Sequence, residues 1–448
     1  MPSAVTDTST AVTDSAATDS EAATDSEAAT DSEAATDNEA ATDSAATDPD
    51  QETLVGAIQS AAANQAVVSR KQNNTVVPGI ADFETALSTY GSKPGPKTLV
   101  AGELIWDNHG SEYTGSQRLQ AHPQFQHVFT HADEIQLHVL GTQDNMQFGR
   151  VSYEWPLSDS GWRMGAATSR LSYSLGGSAA SLLAYGNASQ RGIWLDKNTK
   201  QSERMQMGWR VALDRSDLND LQDETGIANQ RSLNSLQARF SVNREGEFFS
   251  RYQSWFSLGL SVGELWFRDT TADIGDATYA QTQGRFHKLN VSAEHIQALS
   301  PRLYASFSLQ GQYSAENLDA SQKMTFGGAQ NLRAYRPGIL SGDNGLWVRM
   351  ELTRQWADEQ LGSMPPSNLA ASLFLESAWL EVYRRPWSSV TDNQAKLSGT
   401  GVRLSWAGPH QWSASLSFGR ALGKTPSLLS GSSSLHTSAW LELVRKFK

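Results

Sequence analysis

The chain has 448 residues, a formal net charge of −12 and no cysteine. Residues 1–50 hold 13 of the 48 acidic residues and neither lysine nor arginine, which leaves 35 acidic against 36 basic residues in the rest of the chain. A basic face for nucleic acid is therefore not expected, and the lack of thiols excludes disulfides, thiolate metal ligands and cysteine nucleophiles. No stretch of about eighteen apolar residues occurs, so any membrane-spanning segments must be β-strands.

The N-terminal tail is built from a six-residue repeat. The unit Thr-Asp-Ser-Glu-Ala-Ala recurs over residues 16–48, and no unit holds a large apolar side chain. A hexapeptide β-helix needs a bulky aliphatic residue in each rung, because alanine buries too little surface to offset the entropy lost on ordering. We therefore predict a disordered acidic tail over residues 1–50, which would serve as a spacer or surface bristle.

Residues 51–97 are predicted to be a linker. Two sets of apolar residues at helical spacing, Leu54 with Ile58 and Phe83 with Leu87, allow one or two short helices. These residues are too few for a domain. A Lys-Pro-Gly-Pro-Lys segment at the end of the linker indicates a hinge.

From residue 98 onward, apolar and polar residues alternate along the chain. In residues 346–353, leucine, valine and methionine fall on one face of a strand, while Arg349 and Glu351 fall on the other. Residues 412–419 follow the same pattern. This period of two predicts a succession of β-strands with one apolar and one polar face.

Alternation suits both a soluble β-sandwich and a membrane barrel, but three features favour the barrel. The polar face carries small and charged residues, as a lumen allows, and most tryptophans fall near predicted strand ends, as an interfacial girdle requires. A single sandwich of about 350 residues would be unusually large. At about 22 residues per strand with its connection, residues 98–448 give roughly sixteen strands. The predicted fold class is all-β: a transmembrane antiparallel β-barrel of about 16 strands that follows a disordered acidic N-terminal tail.

A glycine-rich loop over residues 321–345 interrupts the regular pattern. Its glycines are Gly327, Gly328, Gly338, Gly342 and Gly345. Glycine allows backbone conformations closed to other residues, and Pro337 stiffens the middle of the loop, so we expect a defined conformation. Long structured loops usually carry function.

This loop resembles the inward-folded loop of the two-partner secretion transporters, which are outer-membrane barrels that export and activate large haemolysins and adhesins. They belong to the wider outer-membrane assembly superfamily. The family pattern is Phe-Gly-Gly, a short spacer, Val-Arg-Gly-Tyr, and Ser-Gly-Asp-x-Gly before a barrel strand. The residues that match it are Phe326, Gly327, Gly328, Arg333, Tyr335, Gly342, Asp343 and Gly345. Ala334 stands where the family has glycine, which would cost about 1 kcal/mol if that position requires a positive φ.

Other segments extend the resemblance over about residues 98–448. Residues 104–115 resemble the first barrel strand and turn of the family, and residues 439–448 resemble the last strand of an outer-membrane barrel. Residues 373–379 resemble the strand that carries an aspartate of the barrel wall, with Glu376 in its place.

The resemblance implies that Arg333 pairs with Glu376 inside the lumen. In the family the corresponding carboxylate binds the loop arginine. A planar guanidinium can hold a carboxylate with two hydrogen bonds and so fix the orientation of a loop.

The resemblance also implies a function. The chain would be an outer-membrane protein of a Gram-negative bacterium that secretes or activates a large partner protein by passing it, unfolded and without nucleotide, through the pore. Outer-membrane lipid and the barrel assembly machinery would be its other partners. We expect a monomer that is not an enzyme, with no catalytic residue, metal or cofactor.

The N-terminal region departs from what this destination requires. Residues 1–7 have neither basic residues nor an apolar core and are not a secretory signal, so either the true start lies upstream or the targeting region has been lost. Residues 51–97 are too short for the two periplasmic polypeptide-transport-associated domains of the family.

Three other interpretations stay open. A non-specific porin needs only the alternation, but it leaves the Arg333 loop unexplained. A truncated barrel without transport activity is consistent with the short N-terminal region. A barrel hydrolase would assemble its site from scattered rim residues, and the chain has no Gly-x-Ser-x-Gly, His-Glu-x-x-His or phosphate-loop motif.

Five histidines lie close together in the sequence and raise the question of a metal site. They are His109, His122, His127, His131 and His138. Their spacings match no helical or turn ligand set, so we interpret them as surface residues rather than metal ligands.

Overall fold

The structure is a computed structural model that describes residues 100–448 except residue 131, residue 225, residues 360–366 and residues 430–436. The predicted tail over residues 1–50 and the predicted linker over residues 51–97 lie outside the described residues.

Sixteen antiparallel strands close on themselves into a β-barrel, which confirms the predicted all-β barrel fold. Each barrel strand pairs with its neighbours in the chain, and the last strand pairs with the first. Two further short strands form a hairpin outside the barrel sheet. The strands are β1 (Val100–Asp107), β2 (Arg118–Gln126), β3 (Glu134–Thr142), β4 (Gln147–Pro156), β5 (Trp162–Ser174), β6 (Ala184–Ser202), β7 (Met205–Gln222), β8 (Ile227–Phe248), β9 (Ser250–Phe267), β10 (Gly284–Ser300), β11 (Leu303–Ser314), β12 (Met324–Phe326), β13 (Leu340–Gly342), β14 (Asn344–Glu359), β15 (Ser367–Glu381), β16 (Gln394–Ala407), β17 (Trp412–Leu422) and β18 (Thr437–Phe447).

Little helix accompanies the strands. Among the described residues there is one α-helix, α1 (Thr270–Thr278), which lies between β9 and β10, where Asp269 caps its N-terminus. Short 3₁₀ turns span Gly177–Leu182, Ala320–Gln322, Pro409–Gln411 and Ser427–Leu429. No helix in the described part of the chain is long and apolar enough to cross a membrane.

The apolar face of the strands points outward. On β14, Leu346, Met350 and Leu352 are 43%, 60% and 42% exposed, whereas Arg349 and Glu351 are buried on the inner face. A soluble sandwich would bury its apolar face. An outward apolar band around a polar interior is the arrangement of a membrane barrel.

The two ends of the barrel differ. At the end that holds both Val100 and Phe447, the connections are short, such as the one-residue turn at Phe249 and the two-residue turn after β10. The other end carries longer segments, including residues 268–283 and 315–343. Outer-membrane barrels have short periplasmic turns and long extracellular loops, so we take the long-loop end as the external one.

Strand length varies strongly around the barrel. β1 has 8 residues and β2 has 9, whereas β6 has 19 and β8 has 22. About 9–11 residues suffice for a strand to cross the hydrocarbon layer. On β7 the outward residues are apolar up to Leu213 and polar at Arg215, Asp217 and Asn219 towards the long-loop end, so this side of the barrel projects beyond the membrane on the external side.

Candidate functional site: a loop anchored in the barrel lumen

The segment between β11 and β14 folds back into the barrel. The hairpin of β12 and β13 lies within it, with Met324 opposite Gly342. At the tip, Leu332, Arg333 and Ala334 are no more than 2% exposed. The tip contacts inward-facing residues of the wall, which places it in the lumen.

Two acidic residues of the wall hold different parts of Arg333. The backbone amide of Arg333 donates to Glu376 Oε2 at 2.8 Å. Both terminal guanidinium nitrogens donate to Glu351 Oε2, at 3.1 and 3.2 Å. Nε of Arg333 lies 3.6 Å from Glu376 Oε1, within ion-pair distance. Arg333 and Glu376 therefore lie together, but Glu351 is the acid that is hydrogen-bonded to the guanidinium.

A second arginine joins the cluster. Arg349 places Nη1 at 3.6 Å from Glu376 Oε1, and its Nη2 donates to the backbone carbonyl of Gln330 at 3.4 Å. Two guanidinium groups thus face the carboxylates of Glu351 and Glu376, and all four residues are buried. Balanced charge matters at such a site, because an unpaired buried charge is strongly destabilising.

Glu351 and Arg349 are the site residues that the sequence did not single out. Both were expected on the polar face of their strand, but nothing in one sequence says which wall residue lies at the depth of the loop tip. The pairing of β14 with β15 supplies that information, since it places Arg349 directly opposite Glu376. The available signal was two opposite charges on one lumen face immediately after the loop.

Aromatic residues on two strands hold the tip from further directions. The guanidinium carbon of Arg333 lies 4.5 Å from the centre of the Phe374 ring on β15, a cation–π distance. The indole of Trp440 on β18 donates from Nε1 to the Arg333 carbonyl oxygen at 2.7 Å. The loop tip therefore connects β14 and β15 with β18 across the lumen.

Two wall glycines make room for the tip. A Cβ on Gly419 would lie 2.5 Å from the carbonyl oxygen of Arg333, and a Cβ on Gly399 would lie 2.6 Å from the Cβ of Ala334. Ala334 itself is not among the described residues with positive φ, so alanine at this position carries no left-handed strain.

Other motif residues shape the loop behind its tip. Gly327 and Gly328 have φ of 98° and 93°, a region that favours glycine. The amide of Gly328 donates to the Tyr335 carbonyl oxygen at 2.9 Å, which closes the tip into a compact turn. The Tyr335 hydroxyl donates to the carbonyl oxygen of Ser398 on β16 at 2.9 Å.

Close packing explains two more motif glycines. Phe326 is fully buried, and a Cβ on Gly345 would lie 2.6 Å from its ring. A Cβ on Gly342 would lie 2.5 Å from the carbonyl oxygen of Glu381. Neither Gly342 nor Gly345 has a positive φ, so space rather than backbone conformation is what requires glycine at these positions.

Asp343 ties the base of the loop to its surroundings, just outside the barrel strands. Its carboxylate accepts hydrogen bonds from the amides of Leu318 at 3.0 Å and Arg384 at 2.8 Å. Nζ of Lys323 lies 3.4 Å from Asp343 Oδ1. Burial raises the pKa of the Asp343 carboxyl, and the neighbouring ammonium of Lys323 opposes that rise.

Arginines join the outer parts of the loop to the rest of the barrel. Arg231 on β8 forms charged hydrogen bonds with both Asp220 on β7 and Asp319 in the loop. Arg336 pairs with Glu112 in the segment after β1, and both of these side chains are exposed.

Comparison with known proteins identifies the family of this barrel. The family model of the haemolysin secretion/activation proteins ShlB, FhaC and HecB matches residues 93–374. The chain belongs to this family. Membership confirms the resemblance to two-partner secretion transporters and, with the closed barrel, places the protein in the outer membrane of a Gram-negative bacterium.

Relatives in the haemolysin secretion/activation family are distant. The heme/hemopexin transporter protein HuxB of Haemophilus influenzae is 25% identical over 319 residues, which cover 70% of this chain and 55% of HuxB. The outer membrane transporter CdiB of Dickeya dadantii is 34% identical over 90 residues, or 20% of this chain and 16% of that protein. The chain spans about half the length of the HuxB relatives it matches.

Solved structures share the fold. CdiB from Escherichia coli aligns with a TM-score of 0.65 at 18% identity, covering 79% of this chain and 64% of the CdiB chain. BamA from Haemophilus ducreyi aligns with a TM-score of 0.53 at 10% identity, covering 78% of this chain and 71% of the BamA chain.

The interpretation of the histidines as surface residues is wrong for His109, His122 and His138, and His131 lies outside the described residues. His122 and His138 are buried on the inner face, where their rings pack edge to face with centres 4.1 Å apart, and the side chain of His109 is 7% exposed. Nδ1 of His122 lies 3.1 Å from Glu103 Oε1. The barrel wall is polar on its inner face, which is why β2 and β3 bury His122 and His138 there, whereas His109 lies in the segment after β1.

Asp107, His109 and Glu442 have the composition of a cation site, with ligand atoms within 4.8 Å of one another. The Asp107 carboxylate, however, already accepts hydrogen bonds from Arg118 at 2.7 and 3.2 Å and from Gln120 at 2.8 Å. The positive charge of Arg118 opposes a cation at this position. We therefore assign these residues to the polar network that joins β1, β2 and β18.

Proposed function

We propose that this barrel secretes a large partner protein by passing it, in unfolded form, through the lumen, and that the Arg333 loop must leave its anchored position for the partner to pass. The observation that carries the proposal is the anchoring of Arg333 to Glu351 and Glu376. Family membership supports the activity, and the half-length match to the curated relatives makes it a proposal.

The ion pairs that hold Arg333 allow the loop to be displaced from the lumen. Salt bridges in a protein interior gain little net free energy, because the desolvation of both charges offsets their attraction. Once water and a polar polypeptide enter the lumen, Arg333, Glu351 and Glu376 can be solvated instead of paired. The loop is then held firmly in the resting barrel and released at modest cost.

The relatives and the pore support a substrate class. HuxB is described as a heme/hemopexin transporter and CdiB as an outer membrane transporter. For this chain we propose a secreted haemolysin-like or adhesin-like protein that folds outside the cell, a monomeric barrel, and insertion by the barrel assembly machinery. No nucleotide is required, because folding of the partner outside makes its passage effectively irreversible.

The test is secretion of a large partner protein, and any such protein encoded beside this one is the first candidate. Arg333→Ala should lower the amount of partner in the medium, because a loop without its anchor has no fixed position in the lumen and obstructs the path of the partner. The barrel should still migrate faster when unboiled than when boiled on electrophoresis. Arg336→Ala is the matched control, because it removes an arginine three residues away whose ion pair is exposed and contributes little.

Each outcome is decisive. Reduced secretion with Arg333→Ala and normal secretion with Arg336→Ala supports the loop mechanism. Unchanged secretion with Arg333→Ala removes the loop from the mechanism. If the wild-type protein secretes nothing and instead conducts small ions steadily in a planar bilayer, the barrel is a porin and the proposal fails.

A further inference from the structure

A shallow groove crosses the outer face of the barrel from β4 to β10. It measures about 870 Å³. Its apolar part is a row of exposed outward side chains from four adjacent strands. In the strand pairing Ile193 lies opposite Leu213, Leu213 opposite Leu236, and Leu236 opposite Val262. This part of the groove lies within the apolar band that faces lipid.

A charged row runs directly beside the apolar row, towards the long-loop end. On β6 to β9 each member lies two residues from a member of the apolar row and therefore on the same outward face. Arg191 lies opposite Arg215, Arg215 opposite Asn234, Asn234 opposite Glu264, and Glu264 opposite Arg285. Arg170 on β5 extends the basic character into a second groove of about 600 Å³ that it shares with Arg191.

The charged row carries more positive charge than the nearby carboxylates neutralise. Arg215 has an ion pair with Asp217 at 3.7 Å, and Glu264 is the other carboxylate of this face. No ion pair within the described residues involves Arg191 or Arg285. Like charges directly opposite each other in a sheet are destabilising. An anion bound between Arg191 and Arg215 would offset this repulsion.

We propose that this face binds a phosphorylated glycolipid of the outer leaflet, with phosphate groups on Arg191, Arg215 and Arg285 and acyl chains on the apolar row beside them. Guanidinium groups bind phosphate through paired, charge-assisted hydrogen bonds. The acyl chains cover surface that is apolar already. One occupant with an anionic head and acyl chains matches both rows, whereas a free phosphate matches only one. The proposal does not depend on transport of a partner protein.

The test uses the purified full-length barrel and lipid A as the probe. The protein is incubated in detergent with lipid A that carries both phosphates, or with the same lipid after its phosphates are removed, and bound lipid is counted by native mass spectrometry. We expect the phosphorylated form to bind roughly tenfold more tightly or better. The double variant Arg191→Gln/Arg215→Gln should lose most of this preference.

Matched variants separate the row from general effects of charge. Arg420→Gln on β17 removes an exposed outward arginine on the opposite wall and should leave the preference intact. Arg191→Lys/Arg215→Lys keeps the charge without the planar fork and should give an intermediate preference. Arg285→Gln provides a second, single-site variant if the double variant fails to fold.

Three results would overturn the proposal. They are equal binding of both lipid forms, an equal loss of preference in Arg420→Gln, and displacement of the lipid by inorganic phosphate at millimolar concentration. Displacement by inorganic phosphate would mean that the arginines bind free phosphate. Equal binding of both lipid forms would mean that this face contacts another protein instead of a phosphorylated lipid.

Discussion

Glu376 and Glu351 hold Arg333 in different ways, and this decides what each substitution does. Glu376 accepts the backbone amide at position 333, which every residue except proline supplies. Glu351 accepts the guanidinium, whose planar fork only arginine supplies. Glu376 also keeps Arg349 as a neighbour when the side chain of Arg333 is removed. The guanidinium therefore depends on Glu351 more than on Glu376.

A charge exchange between positions 333 and 351 should restore the loop better than one between positions 333 and 376. Arg333→Glu alone leaves buried like charges together, at a cost of about 3–5 kcal/mol, and Glu351→Arg reverses the pair and removes that cost. Glu376→Arg instead places a second guanidinium at ion-pair distance from Arg349, a residue that Glu376 affects more strongly than Glu351 does. Single-channel conductance in planar bilayers reports a loop that has left the lumen. Conductance should rise in each single variant and return towards the wild-type value only in Arg333→Glu/Glu351→Arg. Equal rescue by Arg333→Glu/Glu376→Arg would contradict this assignment.

Gly419→Ala should expel the loop tip without disturbing the strand. The added Cβ would meet the Arg333 carbonyl carbon and oxygen at 2.6 and 2.5 Å, and backbone atoms cannot rotate away. Trypsin added to intact cells reports the displacement through cleavage after Arg333, since Arg336 precedes Pro337 and resists the enzyme. Gly141→Ala is the control, because its Cβ would meet nothing within 4 Å. Continued protection of Arg333 in Gly419→Ala would show that the wall tolerates the extra atom.

The sequence alone led to part of this site. Arg333 and Glu376 emerged through family resemblance, and the structure brings them within 3.6 Å. Glu351 and the space left by Gly399 and Gly419 did not emerge, because they depend on which residues of five different strands share one depth in the lumen. That depth is set by strand register and tilt, which alternation along one strand does not contain.

The base of the loop is a separate element with its own anchor. Lys323 is buried there, donates from Nζ to the Val382 carbonyl oxygen at 2.9 Å, and lies 3.8 Å from the centre of the Tyr383 ring. With Asp343 it connects the hairpin of β12 and β13 to the segment after β15. The hairpin is too short to be stable by its own hydrogen bonds, so these contacts determine its position.

Lys323→Met should loosen the hairpin while the barrel stays closed. The change leaves the buried carboxylate of Asp343 without its cation, and losing one partner of a buried pair costs about 3–5 kcal/mol. Hydrogen exchange measured by mass spectrometry should become faster in residues 324–342 and stay unchanged in β6 to β9. Lys424→Met, at an exposed lysine, should change neither region. Uniformly faster exchange throughout the barrel would mean that Lys323 supports the whole fold rather than this element.

The number of barrel strands could be predicted from the sequence, but the lengths of the individual strands could not. Alternation and length led to about sixteen strands, which the structure has, because a barrel wall between lipid and a polar lumen imposes a period of two on every strand. The sequence did not predict that β6 to β9 extend beyond the membrane. Outside the lipid both faces of a strand contact water, so the outward positions 215, 217 and 219 of β7 are polar and the alternation that marks a strand disappears there.

Closure of the whole barrel depends on a short ladder of backbone hydrogen bonds between the first strand, β1, and the last strand, β18. β1 and β18 pair from Gly102 opposite Phe447 to Asp107 opposite Glu442, whereas β7 and β8 pair along the full length of β7. The side chain of Asn108 lengthens the ladder by accepting from the Leu441 amide at 2.7 Å. The loop adds a further contact, since Arg333 accepts a hydrogen bond from Trp440 of β18.

A barrel whose ladder is covalently locked should still secrete its partner. Opening β1 from β18 would expose unpaired backbone groups to lipid, which is costly, so passage through a closed lumen is the expected route. The chain has no cysteine, so Leu104→Cys and Arg445→Cys, which lie opposite each other, can be joined by a short bis-maleimide without competing thiols. Val402→Cys with Phe418→Cys applies the same crosslink between β16 and β17 as the control. Secretion should continue with either crosslink. If locking β1 to β18 stops secretion while the control does not, the partner requires an open ladder and the closed-lumen route is wrong.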